Sequence, residues 1–362
     1  SRRFADIARR PTQSYTCGLY FLSAGHQNRF SLRTVAKKNA IPNADPSLPL
    51  VIVNPRSAAG STQQNWSGTA ADIRAHFGPF SVAFTKCQGD AIDIAERAAN
   101  AGRPLIIACG GDGTINEVAN GILRSGKDVE LGIMPSGTGG DFRRTLGLPN
   151  SNREAAAALR TGKTRWIDAG KVTFSDFGGK TVSRYFLNVS SFGLAASIIK
   201  RVKSAKVFDW LPVESLRGQA NFAASTLQEV LNLDPVTIRV SLDDGEERTV
   251  QTINFCIANS RYFGGGMMIA PEAKINDGFL DVINIGDIGT AKILVNAYTL
   301  YRGTHLSLNE VHDTLARKIT VRSADDGTEI RLETDGELPG KLPAVYEIVP
   351  NAIRVRVPQA HN

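Results

Sequence analysis

The sequence predicts an α/β protein: a parallel sheet flanked by helices, then an antiparallel, β-sandwich-like assembly of strands. Two patterns carry this prediction. Between residues 48 and 165, short apolar runs alternate with stretches of helical spacing, as in βα units built around a parallel sheet. From about residue 166, many short strand-like runs follow one another with turn residues between them. Length sets the scale, since 362 residues suffice for two cores.

Taken in order, residues 1–47 read as a basic arm and a linker, the latter marked by Pro42, Asn43, Asp45 and Pro46. Region 48–165 opens with a strand over 50–54 and a helix around 61–77. A strand over 80–85 precedes a helix near 90–101, where Ile92, Ile94 and Ala95 are apolar. Leu105 to Cys109 is an unbroken apolar run, as a parallel strand buried on both faces requires. A helix over 114–124, a strand over 130–134 and a short helix near 141–146 complete this half. In region 166–358, strands are expected at 171–174, 185–189, 236–242, 249–258, 280–285, 318–321, 329–333 and 352–357. Helices near 215–231 and 289–302 interrupt them. Asp243-Asp244-Gly245 and Asp325-Asp326-Gly327 are hairpin turn signals.

The chemistry concentrates at Gly110-Gly111-Asp112-Gly113-Thr114. An apolar strand ends abruptly in glycines and a helix follows at once. Thr114 is placed to cap that helix, with Glu117 three residues on completing a capping box. Strand, glycine turn and helix N-terminus together make a phosphate cradle, because free N–H groups and the positive end of the dipole face the loop. Asp112 inside the cradle points to Mg²⁺ or a hydroxyl nucleophile, since an acid beside phosphates needs a cation or a proton donor between them. The bland alternative is a tight βα turn carrying a solvated acid.

Further segments narrow the choice. Gly110 to Val118 resembles the nucleotide loop of the diacylglycerol kinase catalytic family, which includes bacterial lipid kinases, sphingosine kinases and ceramide kinases. Val51-Ile52-Val53-Asn54-Pro55-Arg56-Ser57 resembles the family's first strand and Asn-Pro-x-Ser turn. Leu131 to Phe142, Gly264 to Pro271, Asn276 to Val282 and Thr334-Asp335-Gly336-Glu337 resemble its later segments, in family order, over roughly residues 48–358. The resemblance implies a phosphofructokinase- or NAD-kinase-like nucleotide domain and transfer of the γ-phosphoryl group of ATP to a lipid hydroxyl, foremost that of diacylglycerol. Asn54, Pro55, Arg56, Ser57, Ala58, Thr85, Gly110, Gly111, Asp112, Gly113, Thr114, Ile115, Asn116, Gly137, Thr138 and Asp141 would line the ATP site. Glu337 matches the usual proton acceptor. Asp112, the base in the sphingosine kinase branch, competes with it, and Asp335 of the same turn is a third catalytic candidate. Asp277, with the backbone oxygens of Lys274 and Phe279, matches a structural Mg²⁺ site. Gly140 and Ala195 depart from the family pattern, standing where Asn and Asp are common. Competing readings are an NAD-kinase-like or other soluble-substrate kinase, and a non-catalytic lipid- or nucleotide-binding regulator.

The net charge of +7 lies in the arm: residues 1–40 hold eight basic residues and one acid, and the remaining basic and acidic side chains cancel. An arm of this kind suits an anionic membrane surface, and equally an organelle transit peptide, whereas nucleic-acid binding is not indicated. With no apolar run near 18 residues, no spanning helix is expected. The reading is therefore of a cytoplasmic, peripherally membrane-associated chain, organellar if the arm is a transit peptide, with homodimerisation left open. Cys17, Cys87, Cys109 and Cys256 are widely spaced, which fits neither a disulfide framework nor a zinc site. His305 resembles a family position and is read as structural.

Overall fold

Strand β1 (Leu50–Val53) is apolar at every position because it is covered on both faces. In the computed structural model, which describes residues 45–359 apart from 138, 205–225, 227, 232–233 and 326, β1 lies between β2 (Ser81–Phe84) and β3 (Leu105–Gly110), parallel to both. Strand β4 (Glu130–Pro135) extends the parallel sheet beyond β3. Alternate residues point to opposite faces. Leu50, Ile52, Ile106 and Ala108 pack against α3 (Asp90–Asn100) and α4 (Asp112–Ser125). Val51, Val53, Leu105 and Ile107 pack against α2 (Trp66–His76) and α6 (Asn152–Thr161).

The second half has two antiparallel layers. In one, β7 (Val189–Gly193), β10 (Asn254–Ala258), β13 (Leu280–Ile285) and β14 (Val311–Ala316) lie side by side, with β16 (Arg331–Thr334) on the far side of β7. The other joins β5 (Lys163–Ser175), β6 (Thr181–Phe186), β8 (Val236–Leu242), β9 (Arg248–Thr252) and β15 (Lys318–Ser323) around β17 (Glu337–Val357). Phe192, Phe255 and Ile257 of the first layer meet Phe174, Phe186, Val321 and Tyr346 of the second in one core.

Strand β17 ties the halves together. After pairing with β16, β15 and β5, its end runs parallel to β4, with Arg354 opposite Glu130 and Val355 opposite Leu131. Arg356 grips the buried Glu130, which also accepts from Thr164 Oγ1 at 2.6 Å. A boundary at 165/166 therefore falls inside a strand, β5, and the sheet is continuous across it.

Several expected elements differ in detail. The helix expected over 61–77 is broken at Asn65 into α1 (Ser61–Gln64) and α2. The run 249–258 divides at Ile253 into β9 and β10. Helices α6 and α7 (Leu194–Ser204) and strand β14 join those read from the sequence. The helix near 289–302 is α8 (Thr290–Arg302). The basic arm with Cys17, most of the helix near 215–231, and Asp326 lie outside the described residues.

Helices α3 and α4 approach closely at Gly121, where a Cβ would sit 2.3 Å from the Ile92 carbonyl oxygen. Backbone cannot yield as a side chain does, so Gly121→Ala should cost about 1–3 kcal/mol by overpacking. Urea unfolding checks this: the midpoint should fall with an unchanged slope.

Candidate active site

The strand order β2-β1-β3-β4 places a topological switch point between β1 and β3. Connections leave these two strands toward opposite sides, opening a crevice at their C-terminal ends, where open α/β sheets receive ligands. A cavity of about 320 Å³ lies there. Asn54, Arg56 and Ser57 line it from the turn after β1, and Gly111, Gly113 and Thr114 from the turn after β3. Thr85 to Gln88 contribute from the segment after β2, and Glu337 closes it from the second half of the chain.

One hydroxyl locks the turns. Ser57 Oγ donates to the Ser136 carbonyl at 2.6 Å and accepts from the Gly111 N–H at 2.9 Å. Asn54 Nδ2 donates to Thr114 Oγ1 at 3.1 Å. Gly137 is seated against Gly111 so closely that a Cβ on it would lie 2.6 Å from the Gly111 Cα. The turns after β1, β3 and β4 thus converge at the N-terminus of α4. Its Asp112, Gly113 and Thr114 amides belong to a helical first turn, whose N–H groups lack intrahelical acceptors and favour an anion.

The capping box expected at Thr114 and Glu117 does not form. Helix α4 starts two residues earlier, at Asp112, with Gly111 as its N-cap. Glu117 instead accepts the Gly89 and Ala91 N–H groups at 2.8 and 3.2 Å, capping the neighbouring α3. Burial raises its pKa, with Glu337 adding repulsion.

Asp112 is not among the residues lining the cavity; its carboxylate accepts the Asp141 and Phe142 N–H groups, both at 3.1 Å, at the start of α5 (Asp141–Leu146). Gly139 must be small there, because a Cβ would lie 2.9 Å from Asp112 Oδ2. Asp141 is buried, paired with Arg144 at 2.8 Å and accepting from the Gly265 N–H at 2.8 Å, so it bridges to the later glycine turn. Gly140 takes a left-handed φ of 66° at the α5 N-cap. Ala195, at the start of α7, gives its N–H to Asn254 Oδ1.

Glu337 reaches the cavity through a hairpin. Asp335 and Gly336, with φ of 46° and 86°, form the two-residue turn between β16 and β17, a conformation that Asp-Gly suits. The Asp335 carboxylate accepts the N–H groups of Leu187, Asn188 and Val189 and the Asn116 amide, at 2.6–3.1 Å. Glu333 holds the Gly336 N–H at 2.6 Å. So anchored, the turn presents Glu337 between Gln88 Nε2 at 2.6 Å and Arg184 Nη1 at 2.8 Å.

The sequence-predicted set is therefore gathered only in part. Asn54, Arg56, Ser57, Thr85, Gly111, Gly113, Thr114 and Glu337 line one cavity. Ile115 is buried in the core below the loop, and the Asn116 amide is spent on Asp335 and the Tyr185 carbonyl, so neither lines it. Asp335 is buried behind the turn, with its oxygens taken by amide donors. Ala58, at φ 50°, and Pro55 shape the first turn without lining the cavity, Gly110 packs against Thr114, and Thr138 lies outside the described residues. Lys86, Cys87, Gln88, Glu117 and Arg184 were not anticipated. For Lys86 to Gln88 the signal was available, since they follow a parallel strand as the other loops do.

Asp277 is exposed, and its Oδ1 accepts the Phe279 N–H at 3.1 Å in a local turn. Burial, with the carboxylates of Asp277, Asp313 and Glu272 adding to it, pushes Asp281 up to about 7. Among the described residues no three His, Cys, Asp or Glu side chains converge as a metal-binding set. Burial pushes Cys109 up to about 12, which makes it a packing residue. His305 is buried against the Ile269 carbonyl.

Similarity to known proteins bears on this geometry. The family described as diacylglycerol kinase catalytic domain matches residues 49–172. That described as YegS C-terminal NAD kinase beta sandwich-like domain matches 189–357. A diacylglycerol kinase of Mycobacterium tuberculosis (strain ATCC 25618 / H37Rv) is 30% identical over 312 residues, covering 85% of this chain and 94% of that protein. The chain belongs to the diacylglycerol kinase catalytic family. It is also 29% identical over 276 residues to a diacylglycerol kinase of Bacillus subtilis (strain 168), covering 76% of this chain and 84% of the relative. Its fold is that of a diacylglycerol kinase crystal structure from Bacillus anthracis str. Sterne, with a TM-score of 0.62 at 23% identity over 86% of this chain and 97% of that one. Membership makes the protein a kinase of a lipid kinase family.

Asp335 supplies a pH test. Burial outweighs its amide donors and pushes its pKa from 3.8 up to about 6. Its stabilising contribution is therefore fully present below pH 3.8 and is lost as pH rises through about 6. Asp335→Asn turns a donor toward donors and should cost about 1–3 kcal/mol. Denaturation from about pH 3 to about pH 7, a range spanning both values, should show this component in the wild type and not in the variant.

Proposed function

We propose that the protein is an ATP-dependent lipid kinase that transfers the γ-phosphoryl group to the hydroxyl of diacylglycerol, or of a related ceramide or sphingoid lipid. The observation that carries this reading is the sharing of one cavity by the α4 N-terminus and the Glu337 carboxylate. Phosphates held on the Gly111–Thr114 amides would stand beside an acid able to take a proton from an incoming alcohol. Phosphoryl transfer asks for little more than such positioning and charge stabilisation.

In this mechanism Glu337 is the proton acceptor. Arg184 and Gln88 fix its two oxygens, and Arg184 brings positive charge to the cavity edge. Asp112 is the weaker candidate for that role, because its carboxylate is committed to the first turn of α5. Asp335 acts as a positioning residue that aims the turn. Bound Mg²⁺ would supply positive charge to offset the negative charge of the phosphates. The exposed Asp277 carboxylate, with the main-chain oxygens of Lys274 and Phe279, would hold a hard cation there, since one carboxylate with carbonyls and waters is an ordinary shell for it.

Glu337→Gln keeps the shape and removes the base. Turnover should fall by roughly 10²–10⁴ with ATP affinity nearly unchanged. Near wild-type turnover in that variant, with a larger loss in Asp112→Asn, would move the base to Asp112. Labelled ATP offered with diacylglycerol, ceramide, sphingosine and NAD tests the acceptor. Label should enter a glycerolipid or sphingolipid, and label in NAD alone would overturn the lipid reading.

A further inference from the structure

Helix α8 covers only part of its apolar surface. Its fully buried residue is Thr299, whose hydroxyl turns back to the Asn296 carbonyl at 2.6 Å. Ile293 and Leu300 are half-buried, Leu300 against the cluster of Ile269, Ala270 and Val311, while four large apolar residues face solvent. Leu294 is 47% exposed, Val295 72%, Tyr298 56% and Tyr301 58%. Their spacing of three and four residues lays them along one stripe. Among the described residues, this one helix carries half of the exposed large hydrophobic side chains. Leu231, at 60% exposure, extends the apolar surface where the Val230 carbonyl accepts from Thr290 Oγ1 at the start of the helix. An apolar stripe of this kind, flanked by polar residues, marks a surface that meets something.

We propose that α8 is the face by which the protein docks on a lipid bilayer, lying in the interface with Leu294, Val295, Tyr298 and Tyr301 turned to the acyl boundary. Charge selects this occupant. The helix contains no acidic residue; Lys292 near its start is paired with Glu310 at 2.6 Å, and Arg302 at its end is the cation placed to meet anionic headgroups. The Arg302 guanidinium lies 5.5 Å from the Tyr298 ring centre, at the border of the stripe. Tyrosine belongs at headgroup depth, where its ring is apolar on one side and wet on the other.

The position of α8 fits the reading of a lipid acceptor, on which the proposal rests. Its C-terminal Gly303 abuts Met268 and Pro271, so closely that a Cβ there would lie 2.8 Å from the Met268 sulfur. Met268 belongs to the small hairpin of β11 (Tyr262–Phe263) and β12 (Met267–Met268). That hairpin's Gly265 N–H binds Asp141, beside Asp112. The docking helix thus stands one hairpin away from the turn after β4 that carries Asp141.

Vesicle flotation without ATP tests docking separately from catalysis, using the full chain with phosphatidylcholine vesicles and with vesicles containing phosphatidylglycerol. The Leu294→Ser, Val295→Ser, Tyr298→Ser variant changes exposed residues only. Its partition should drop by roughly tenfold or more, the loss expected when three interfacial apolar side chains are removed. Val295→Trp should show fluorescence quenched by brominated lipid beyond the wild-type background. Unchanged flotation of the triple variant, or an unquenched Trp, would overturn the proposal, as would a wild-type dimer that the triple variant turns into a monomer with vesicle binding intact. Docking with no phosphorylation of any lipid would leave this surface standing and sink the lipid-acceptor reading instead.

Discussion

The carboxylate of Asp335 is the joint on which the site depends. Its two oxygens collect three consecutive backbone amides, from Leu187 to Val189, and the side chain of Asn116 on α4. One buried acid therefore fastens the β16–β17 turn to the segment between β6 and β7 and to the helix whose N-terminus faces the cavity. Backbone amides make good partners for such a group because they are fixed by the strands around them and pay no rotamer entropy. Glu337 owes its place to this joint, being two residues along a hairpin that cannot swing.

A second polar economy runs through the site, in which acids cap helices other than their own. Glu117 of α4 closes the N-terminus of α3, and Asp112 of α4 closes that of α5. Each bond satisfies orphan amides and simultaneously fixes the angle between two elements. The glycines between them have steric reasons: Gly137 must pass the Gly111 backbone, and Gly139 must clear Asp112. What reads in sequence as a phosphate-binding signature is, to the same degree, a device for packing turns against each other.

Much of this was legible in the sequence because the local signals are strong. Leu105 to Cys109 is apolar at each position since both faces are covered, and the glycines after it leave few alternatives to a βα turn. The same logic carried β1, β4 and the α5 helix. Long-range choices were less visible. Nothing local says that Glu117 reaches another helix, since Thr-x-x-Glu is equally a capping box, and the outcome rests on how closely α3 approaches at Gly121. Ile115 and Asn116 sit within the loop motif yet face inward, because a helix turns its side chains through 100° per residue and only part of its first turn meets the cavity. Arg184 carried no signal of its own, lying in a strand far along the chain. Helix α6 was not read from the sequence, although its local signal was available: Ser151 accepts the Glu154 N–H as its N-cap.

The path of β17 has a consequence for biogenesis. Strand β4 gains its outer neighbour from residues 354 and 355, more than two hundred positions downstream. During synthesis the nucleotide-side sheet must wait with a hydrogen-bonding edge bare while the ribosome makes the rest, and such an edge invites strands from other chains. Maturation is thereby late and all at once: the first half reaches its finished state only when the last strand arrives to close it.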